Sequence, residues 1–140
     1  MANDIMWQHF SHQSDIGIRA EAELLSRAFE DAATALTAIV TDPSTVETVQ
    51  PVNFELAGEN EEDLFFHFMS KIIYEMDVRK MFFGRYEVKI ENSHLTAIAW
   101  GEKINFERHS PAVEPKGVTM NQLRVKEENG KWTVQCVIDV

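Results

Sequence analysis

The chain has 140 residues, of which 44% are hydrophobic and 26% are charged, the composition of an ordinary globular protein. These proportions exclude a disordered chain, and the length predicts one domain spanning residues 1–140. Acidic side chains outnumber Lys and Arg by 23 to 13, which gives a formal net charge of −10. Because tight binding of bare nucleic acid requires clustered Lys and Arg, strong direct nucleic-acid binding is not expected.

The first strand and the first helix are predicted from two different periods. Residues 16–22 alternate between apolar and polar or small side chains, the pattern of a half-buried strand. From Leu24 to Val40 the apolar residues recur every three or four positions, which predicts an amphipathic helix. Pro43 disfavours helical backbone at the residue before it, so the helix is expected to end in this region.

A second strand and a second helix follow. Residues 52–56 alternate and predict a strand that ends at Gly58. The acidic residues in 59–63 favour a helix N-terminus, where the helix dipole stabilises negative charge. The apolar stripe in 64–76 then predicts a helix whose aromatic and methionine side chains belong to the core rather than to a cofactor site.

The second half of the chain is rich in strands. Residues 85–104 predict a hairpin that turns at Asn92-Ser93, and residues 121–140 predict a hairpin that turns at Asn129-Gly130. Between the hairpins, 105–119 contains two prolines and a glycine and is predicted to be an irregular loop. With two helices and about six mostly antiparallel strands, the simplest packing is an α+β fold, a two-layer sandwich of sheet covered by two helices.

Sequence patterns that would place the protein in a membrane or a secretory pathway are absent. No apolar run approaches the roughly 20 residues that span a bilayer, and residues 1–10 lack the basic and apolar regions of a signal peptide. We therefore expect a cytoplasmic protein with no membrane partner. Cys136 is the only cysteine, which excludes an intramolecular disulfide and a Cys-based zinc site. Its apolar surroundings predict a buried, unreactive thiol.

Common catalytic motifs are also absent: there is no Gly-rich phosphate loop, no HExxH and no GxSxG. Three histidines, His67, His94 and His109, are isolated in the sequence and are interpreted as residues without a special role. Because no general base or nucleophile accompanies the carboxylates, a stand-alone metal-dependent hydrolase is disfavoured.

One short segment, "HFSHQSDIGIRA", contains three potential ligands, His9, His12 and Asp15. It is either a metal or catalytic site or a polar turn before a strand. A single carboxylate does not satisfy a hard divalent ion, which takes about six or more oxygen ligands. The residues alone therefore favour the turn, since Asp and Ser commonly accept hydrogen bonds from nearby backbone N–H groups.

The C-terminus supplies further carboxylates. If the last strand is held in the sheet to its end, the Asp139 side chain and the α-carboxylate of Val140 lie close together. Two neighbouring anions repel each other unless a cation or hydrogen-bond donors lie nearby. An antiparallel pairing of the N- and C-terminal strands would bring Asp15 beside them, but the sequence alone leaves that pairing open.

Six segments in order resemble the archease family over essentially the entire chain. The first, "FSHQSDIGIRA", retains the His, Asp and Ile of the family's H-T-A-D-[IV] motif as His12, Asp15 and Ile16. The other five are "AFEDAATALTAIVTD", "GENEEDLFFHFMSKIIYEMD", "AWGEKINFERH", "VEPKGVTMNQLRV" and "VIDV". Each segment is a weak signal by itself, and their shared order makes the resemblance specific.

The resemblance implies a function. Archeases are partners of the RtcB-type RNA ligase, which joins RNA ends, notably tRNA exon halves, after attaching GMP from GTP to its own histidine. A protein of this kind is expected to promote that guanylylation and multiple turnover during tRNA splicing, as a cofactor and not as an enzyme. Some members are linked to protecting tRNA methyltransferases from aggregation, which gives a chaperone-like alternative.

The resemblance also implies a site. The family's divalent-cation ligands correspond to Asp15, Asp139 and Val140, and its activating lysine corresponds to Lys116. Calcium is the cation expected first, with magnesium and manganese as alternatives, because the ligands are all oxygen. His12 is expected to support the turn, as a hydrogen-bond partner behind the ligands.

Three residues near the activating lysine depart from the family pattern. Pro115 and Gly117 replace the usual Val and Ala on either side of Lys116, which changes the backbone expected there. Asn121 stands where a His or Ser is common, so the sequence predicts no role for an imidazole or hydroxyl at that position.

Overall fold

A computed structural model describes residues 7–12 and 14–140. Gln13, in the predicted turn, and residues 1–6, part of the segment that lacks signal-peptide features, lie outside the described residues. The described residues form seven strands and three α-helices, which are β1 Trp7–His12, β2 Asp15–Ala22, α1 Leu25–Val40, β3 Gln50–Ala57, α2 Glu61–Arg79, β4 Met81–Glu91, β5 His94–Lys103, α3 Phe106–His109, β6 Gly117–Glu128 and β7 Lys131–Asp139.

The predicted strands and the two long helices are all present, and the α+β class is confirmed. The segment 105–119, predicted to be an irregular loop, differs in part. It contains the one-turn helix α3, which Asn105 begins by accepting a hydrogen bond from the backbone N–H of Arg108 at 2.9 Å. Its last residues belong to β6, which begins at Gly117.

The strands form two antiparallel sheets, whereas the sequence predicts a single layer of sheet covered by the helices. A four-stranded sheet has the order β1-β2-β7-β6, and a three-stranded sheet has the order β3-β5-β4. Helix α1 packs against β1, β2 and β7 of the larger sheet and against β4 of the smaller one. Helix α2 packs against β6 and against all three strands of the smaller sheet. The two helices therefore bridge the sheets.

The core explains why both helices can contact both sheets. Helix α1 has buried residues on more than one side, and several of them are alanines that permit close approach. The Phe29 ring lies 5.0 Å from the ring of Phe65 and 5.6 Å from that of Phe68, measured between centroids. Phe68 in turn lies 6.5 Å from Phe54 of the three-stranded sheet. Aromatic contacts thus join α1, α2 and β3 in one core.

Helix α2 begins as its sequence predicts. The Asn60 side chain accepts a hydrogen bond from the backbone N–H of Asp63 at 2.8 Å, and three acidic residues occupy the first turn. Both features stabilise a helix N-terminus. Among residues 7–12 and 14–140, no helix combines the length and the apolar character needed to cross a membrane.

The two predicted hairpin turns have the same backbone conformation with different residues. The φ angles are 52° and 59° at Asn92 and Ser93, and 55° and 77° at Asn129 and Gly130. A turn with positive φ at both central residues is the two-residue turn that matches the twist of a hairpin, and its second position favours glycine. Ser93 therefore occupies a position at which a side chain is unfavourable.

We expect Ser93→Gly to raise the free energy of unfolding by about 0.5–1 kcal/mol, because glycine adopts positive φ without steric cost. The Ser93 carbonyl, which accepts from the N–H of Gly58 at 3.1 Å, is retained in the variant. Urea unfolding measures the change. Gly130→Ser is the matched control and should lower stability by a similar amount. A less stable Ser93→Gly protein would contradict this account of the turn.

Candidate functional site

The register of the four-stranded sheet brings the start of β2 beside the end of β7. Strands β2 and β7 are antiparallel, with Ile16 opposite Ile138. The next position along this register places Asp15 opposite Asp139. Opposed residues have Cα atoms about 5 Å apart and side chains on the same face of the sheet. The pairing that the sequence left open is therefore present, and it juxtaposes two carboxylates.

The neighbouring strands extend these two residues into a row of four, which we call the acidic row: His12, Asp15, Asp139 and Gly117. His12 of β1 is opposite Asp15, and Gly117 of β6 is opposite Asp139. A Cβ atom added to Gly117 would meet no atom within 4 Å, so there is open space beside Asp139. The Nδ1 atom of His12 is buried and has no hydrogen-bond partner among the described residues.

The charges of the acidic row are uncompensated within the described part of the chain. Neither Asp15 nor Asp139 forms an ion pair there with a Lys, Arg or His. Like charges on directly opposed positions destabilise a sheet, so a cation bound between them would be stabilising. The described residues contain no group of three or more His, Cys, Asp or Glu side chains able to hold a metal. Backbone or terminal oxygens and water would have to complete any coordination.

Lys116 is fixed beside this row through its backbone. Its N–H donates to the carbonyl of Asp139 at 2.7 Å, which continues the pairing of β6 and β7 beyond Gly117. The alternation of a strand places the Lys116 side chain on the opposite face from Asp139. There it lines a surface groove of about 970 Å³ between the end of α2 and the segment 104–117. Tyr74 and Phe106 line the same groove and are 56% and 74% exposed.

Three other histidines lie away from the acidic row. His9 lies along β1, with Nε2 at 2.9 Å from the carbonyl oxygen of Ala35. His94 is exposed and lies 3.0 Å from a carboxylate oxygen of Glu55. His67 is exposed on α2. The structure therefore assigns none of them to the candidate cation site.

The interpretation of His109 as a residue without a special role is wrong, because its side chain is buried in a hydrogen-bonded cluster with Glu102 and Arg108. His109 is 3% exposed and Glu102 is 8% exposed. Arg108 donates to both carboxylate oxygens of Glu102, at 2.5 and 2.9 Å. The N–H of Glu47 also donates to Glu102, at 2.8 Å. The Arg108 guanidinium, together with these other donors, lowers the pKa of Glu102 to about 2.

The tautomer of His109 follows from the contact at its Nδ1 atom. Nδ1 accepts a hydrogen bond from the backbone N–H of Asn105 at 2.9 Å, so the proton is on Nε2. Nε2 then donates to Glu102 at 2.9 Å. The Thr41 hydroxyl donates to the His109 carbonyl at 2.5 Å, which ties the same segment to the end of α1. The cluster therefore fixes α3 to both β5 and α1, and its imidazole is not free to act as a ligand.

Cys136 is fully buried in β7, and burial raises the pKa of its thiol to about 12. A thiol in this environment stays protonated at neutral pH and is a poor nucleophile. The prediction of an unreactive structural cysteine is confirmed.

These features define an α+β protein built from two antiparallel sheets and two bridging helices, with opposed carboxylates where the start of β2 lies beside the end of β7. Comparison with known proteins identifies the family. Residues 7–140 match the model of the "Archease protein family (MTH1598/TM1083)", and the chain belongs to this family.

Individual relatives are similar in sequence to this chain over nearly its full length. The chain is 33% identical to "Protein archease" of Pyrococcus furiosus over 139 residues, which cover 96% of this chain and 98% of the relative. It is 35% identical to "Protein archease" of Aeropyrum pernix, with 96% of each chain covered. Among solved structures, protein 1598 of Methanobacterium thermoautotrophicum is similar with a TM-score of 0.83 and 28% identity, over 96% of this chain and 98% of that one.

A second solved structure shows the same fold at lower similarity. It is the crystal structure of TM1083 from Thermotoga maritima, described as an archease and possible chaperone. The TM-score is 0.60 with 17% identity, over 94% of each chain. At that identity the likeness concerns the fold alone.

Proposed function

We propose that this protein activates an RtcB-type RNA ligase in tRNA splicing, by promoting GTP-dependent guanylylation of the ligase histidine and multiple turnover. It acts as a protein cofactor in the cytoplasm and has no ligase activity of its own. The observation that carries the proposal is the opposition of Asp15 and Asp139 across β2 and β7, without a cationic partner among the described residues. Membership of the archease family supports the choice of partner.

The proposed ligands of a divalent cation are the side chains of Asp15 and Asp139 and the α-carboxylate of Val140. Oxygen ligands suit calcium, magnesium and manganese better than zinc. The open space beside Gly117 provides room for water ligands. The buried Nδ1 of His12, which has no partner among the described residues, is suited to hydrogen-bond a ligand or water in this row. A bound cation would neutralise charge on phosphoryl oxygens.

Lys116 and the groove that it lines are the proposed contribution to partner binding. The lysine supplies a positive charge for phosphoryl oxygens, because phosphoryl transfer depends mainly on positioning and charge neutralisation. Exposed aromatic side chains such as Tyr74 and Phe106 are typical of protein interfaces. The acidic body, with a net charge of −10, is suited to a transient contact with the basic RNA-binding face of a ligase.

A single-turnover guanylylation assay of the ligase tests the proposal. We expect wild-type protein to accelerate the formation of ligase–GMP, and Asp15→Ala, Asp139→Ala and Lys116→Ala to return the rate towards that of the ligase alone. Glu91→Gln, which removes an exposed carboxylate of β4 away from the groove and the acidic row, is the control. Stimulation at the wild-type rate by the aspartate variants would refute the role of the acidic row.

A second candidate is a chaperone or specificity factor for a tRNA methyltransferase. It is favoured by shared family membership, since the matching family model is named for MTH1598 and TM1083 and the latter is described as a possible chaperone. In this case the acidic row would have a structural role only. Light scattering of an aggregating methyltransferase, with and without equimolar protein, separates the two functions. Absence of protection would eliminate the chaperone.

A further inference from the structure

Two arginines flank one buried glutamine on the same face of the four-stranded sheet as the acidic row. Arg19 of β2 is opposite Gln135 of β7, and Arg124 of β6 is opposite the same Gln135. Because opposed residues share a face, both arginines project on the side that carries Asp15 and Asp139. Two strand spacings separate their Cα atoms by about 10 Å, a distance that two arginine side chains can bridge around one small ligand.

Gln135 orients Arg19. The glutamine is 1% exposed although it lies on the face away from the helices. Its Oε1 accepts a hydrogen bond from Nε of Arg19 at 2.7 Å, and its Nε2 donates to the carbonyl of Gln122 at 3.0 Å. The Phe10 ring, 5.1 Å from the guanidinium carbon, supports the same side chain from β1. The arginine is therefore held at both its Nε atom and its flat face.

The strand that carries Arg124 is irregular just before this residue. The register of β6 and β7 shifts between Thr119 and Arg124, and Gln122 has a φ of 57°. Non-glycine residues with positive φ are uncommon and are kept where the surrounding structure requires them. Because of this irregularity, the Gln122 carbonyl accepts a hydrogen bond from Gln135. Arg124 lies opposite Gln135, on the face of the sheet that carries Asp15 and Asp139.

The charge of the two arginines has no acidic partner in the described part of the chain. Neither Arg19 nor Arg124 forms an ion pair there. Arg19 is partly exposed and Arg124 is exposed. Two residues further along β2 and β6 on the same face are one acid and one base, Glu21 and Lys126, both opposite Thr133 of β7. In a chain with 23 acidic and 13 basic side chains, such a pair of arginines marks a local site of positive potential.

We propose that Arg19 and Arg124 form a binding site for the phosphoryl group of a phosphate-bearing ligand, with Gln135 as the positioning residue. A guanidinium held at Nε presents its two terminal nitrogens as a fork that matches an oxyanion. A phosphoryl group offers three oxygens and more charge than a carboxylate, and so can engage both arginines at once. The site lies about 13 Å along β2 from Asp15. It depends on the arginines and does not require a cation in the acidic row.

Inorganic pyrophosphate is the probe, titrated into the full chain by isothermal calorimetry without divalent cations. We expect Arg19→Gln and Arg124→Gln each to weaken binding about tenfold, the effect of losing one charge-assisted contact. Arg19→Lys keeps the charge but loses the fork and the contact with Gln135, so it should retain only part of the affinity. Arg85→Gln, which removes an exposed arginine paired with Glu87 on the other sheet, should bind as wild type.

Three results would overturn the proposal. The first is no pyrophosphate binding by the wild-type protein. The second is equal affinity in wild type and both glutamine variants, or an equal loss in the Arg85→Gln control. The third is binding of malonate, at matched ionic strength, as tightly as pyrophosphate, which would make the site one for carboxylates. One-dimensional NMR spectra of each variant confirm that the fold is intact, and Arg19→Lys tests the site even if a glutamine variant is poorly folded.

Discussion

Replacing Asp15 or Asp139 by Asn is expected to weaken calcium binding by about 100-fold or more. Even the loss of an outer hydrogen-bond partner of a metal ligand typically costs about 10- to 100-fold in metal affinity. An asparagine keeps the size of the side chain but removes the negative charge that the opposed carboxylates would contribute to the cation. Isothermal calorimetry with calcium, and then with magnesium and manganese, measures the effect and ranks the three ions.

The control for this prediction removes one carboxylate charge at a position outside the acidic row. Asp77→Asn changes the net charge by the same amount at an exposed position of α2 and should leave calcium affinity unchanged. A second comparison concerns Val140, whose α-carboxylate is a proposed ligand. A tag fused directly after Val140 should weaken calcium binding more than a tag placed before Met1. Equal affinities for the two tagged proteins, or wild-type affinity in Asp15→Asn, would refute the proposed ligand set.

Glu102→Gln is expected to lower the free energy of unfolding by about 2–3 kcal/mol. Glu102 is 8% exposed and accepts hydrogen bonds from Arg108, His109 and the N–H of Glu47. A glutamine has one acceptor oxygen instead of two, and its amide nitrogen would face donors, so buried donors would be left without partners. Urea unfolding at pH 7 measures the loss. Glu107→Gln, an exposed change on the same segment, should have little effect.

The pH dependence of this effect has a definite sign. The pKa of Glu102 is lowered from an ordinary 4.5 to about 2 by Arg108 and its other donors. A carboxyl group whose pKa is lower in the folded state stabilises the protein above its unfolded pKa and loses that contribution as the pH falls. The difference in stability between wild type and Glu102→Gln should therefore be complete above about pH 5 and shrink as the pH falls towards 2. A difference independent of pH would contradict the ionised state of Glu102.

Local pattern was sufficient to predict nearly all the secondary structure. Alternation in 16–22 and three- to four-residue spacing in 24–40 are properties of neighbouring residues, and each element formed where its period indicated. The one-turn helix α3 escaped prediction because it rests on contacts of Arg108 and His109 with Glu102, which join α3 to β5. A helix this short has no period to detect.

The candidate site depends on pairing that no local pattern contains. The residues that surround Asp15 favoured a simple turn, and only the register of β2 with β7 gives it an acidic partner in Asp139. The division into two sheets could not be predicted for the same reason. Alternation shows that a strand has a buried face, but it does not show which other strand pairs with it. Arg19 and Arg124 likewise lie far apart in sequence and come together only across Gln135.

The position of β7 has a consequence for how the protein is made. It follows every other described strand in the sequence, yet it lies inside its sheet, between β2 and β6. During synthesis the three-stranded sheet, complete by residue 103, can form while one hydrogen-bonding edge of β2 still lacks its neighbouring strand. The emerging chain therefore exposes an unpaired, aggregation-prone edge until β7 has been synthesised and paired. The strand that pairs with this edge is β7, which also carries Asp139. The pairing of β7 therefore completes the larger sheet and the candidate site in one step.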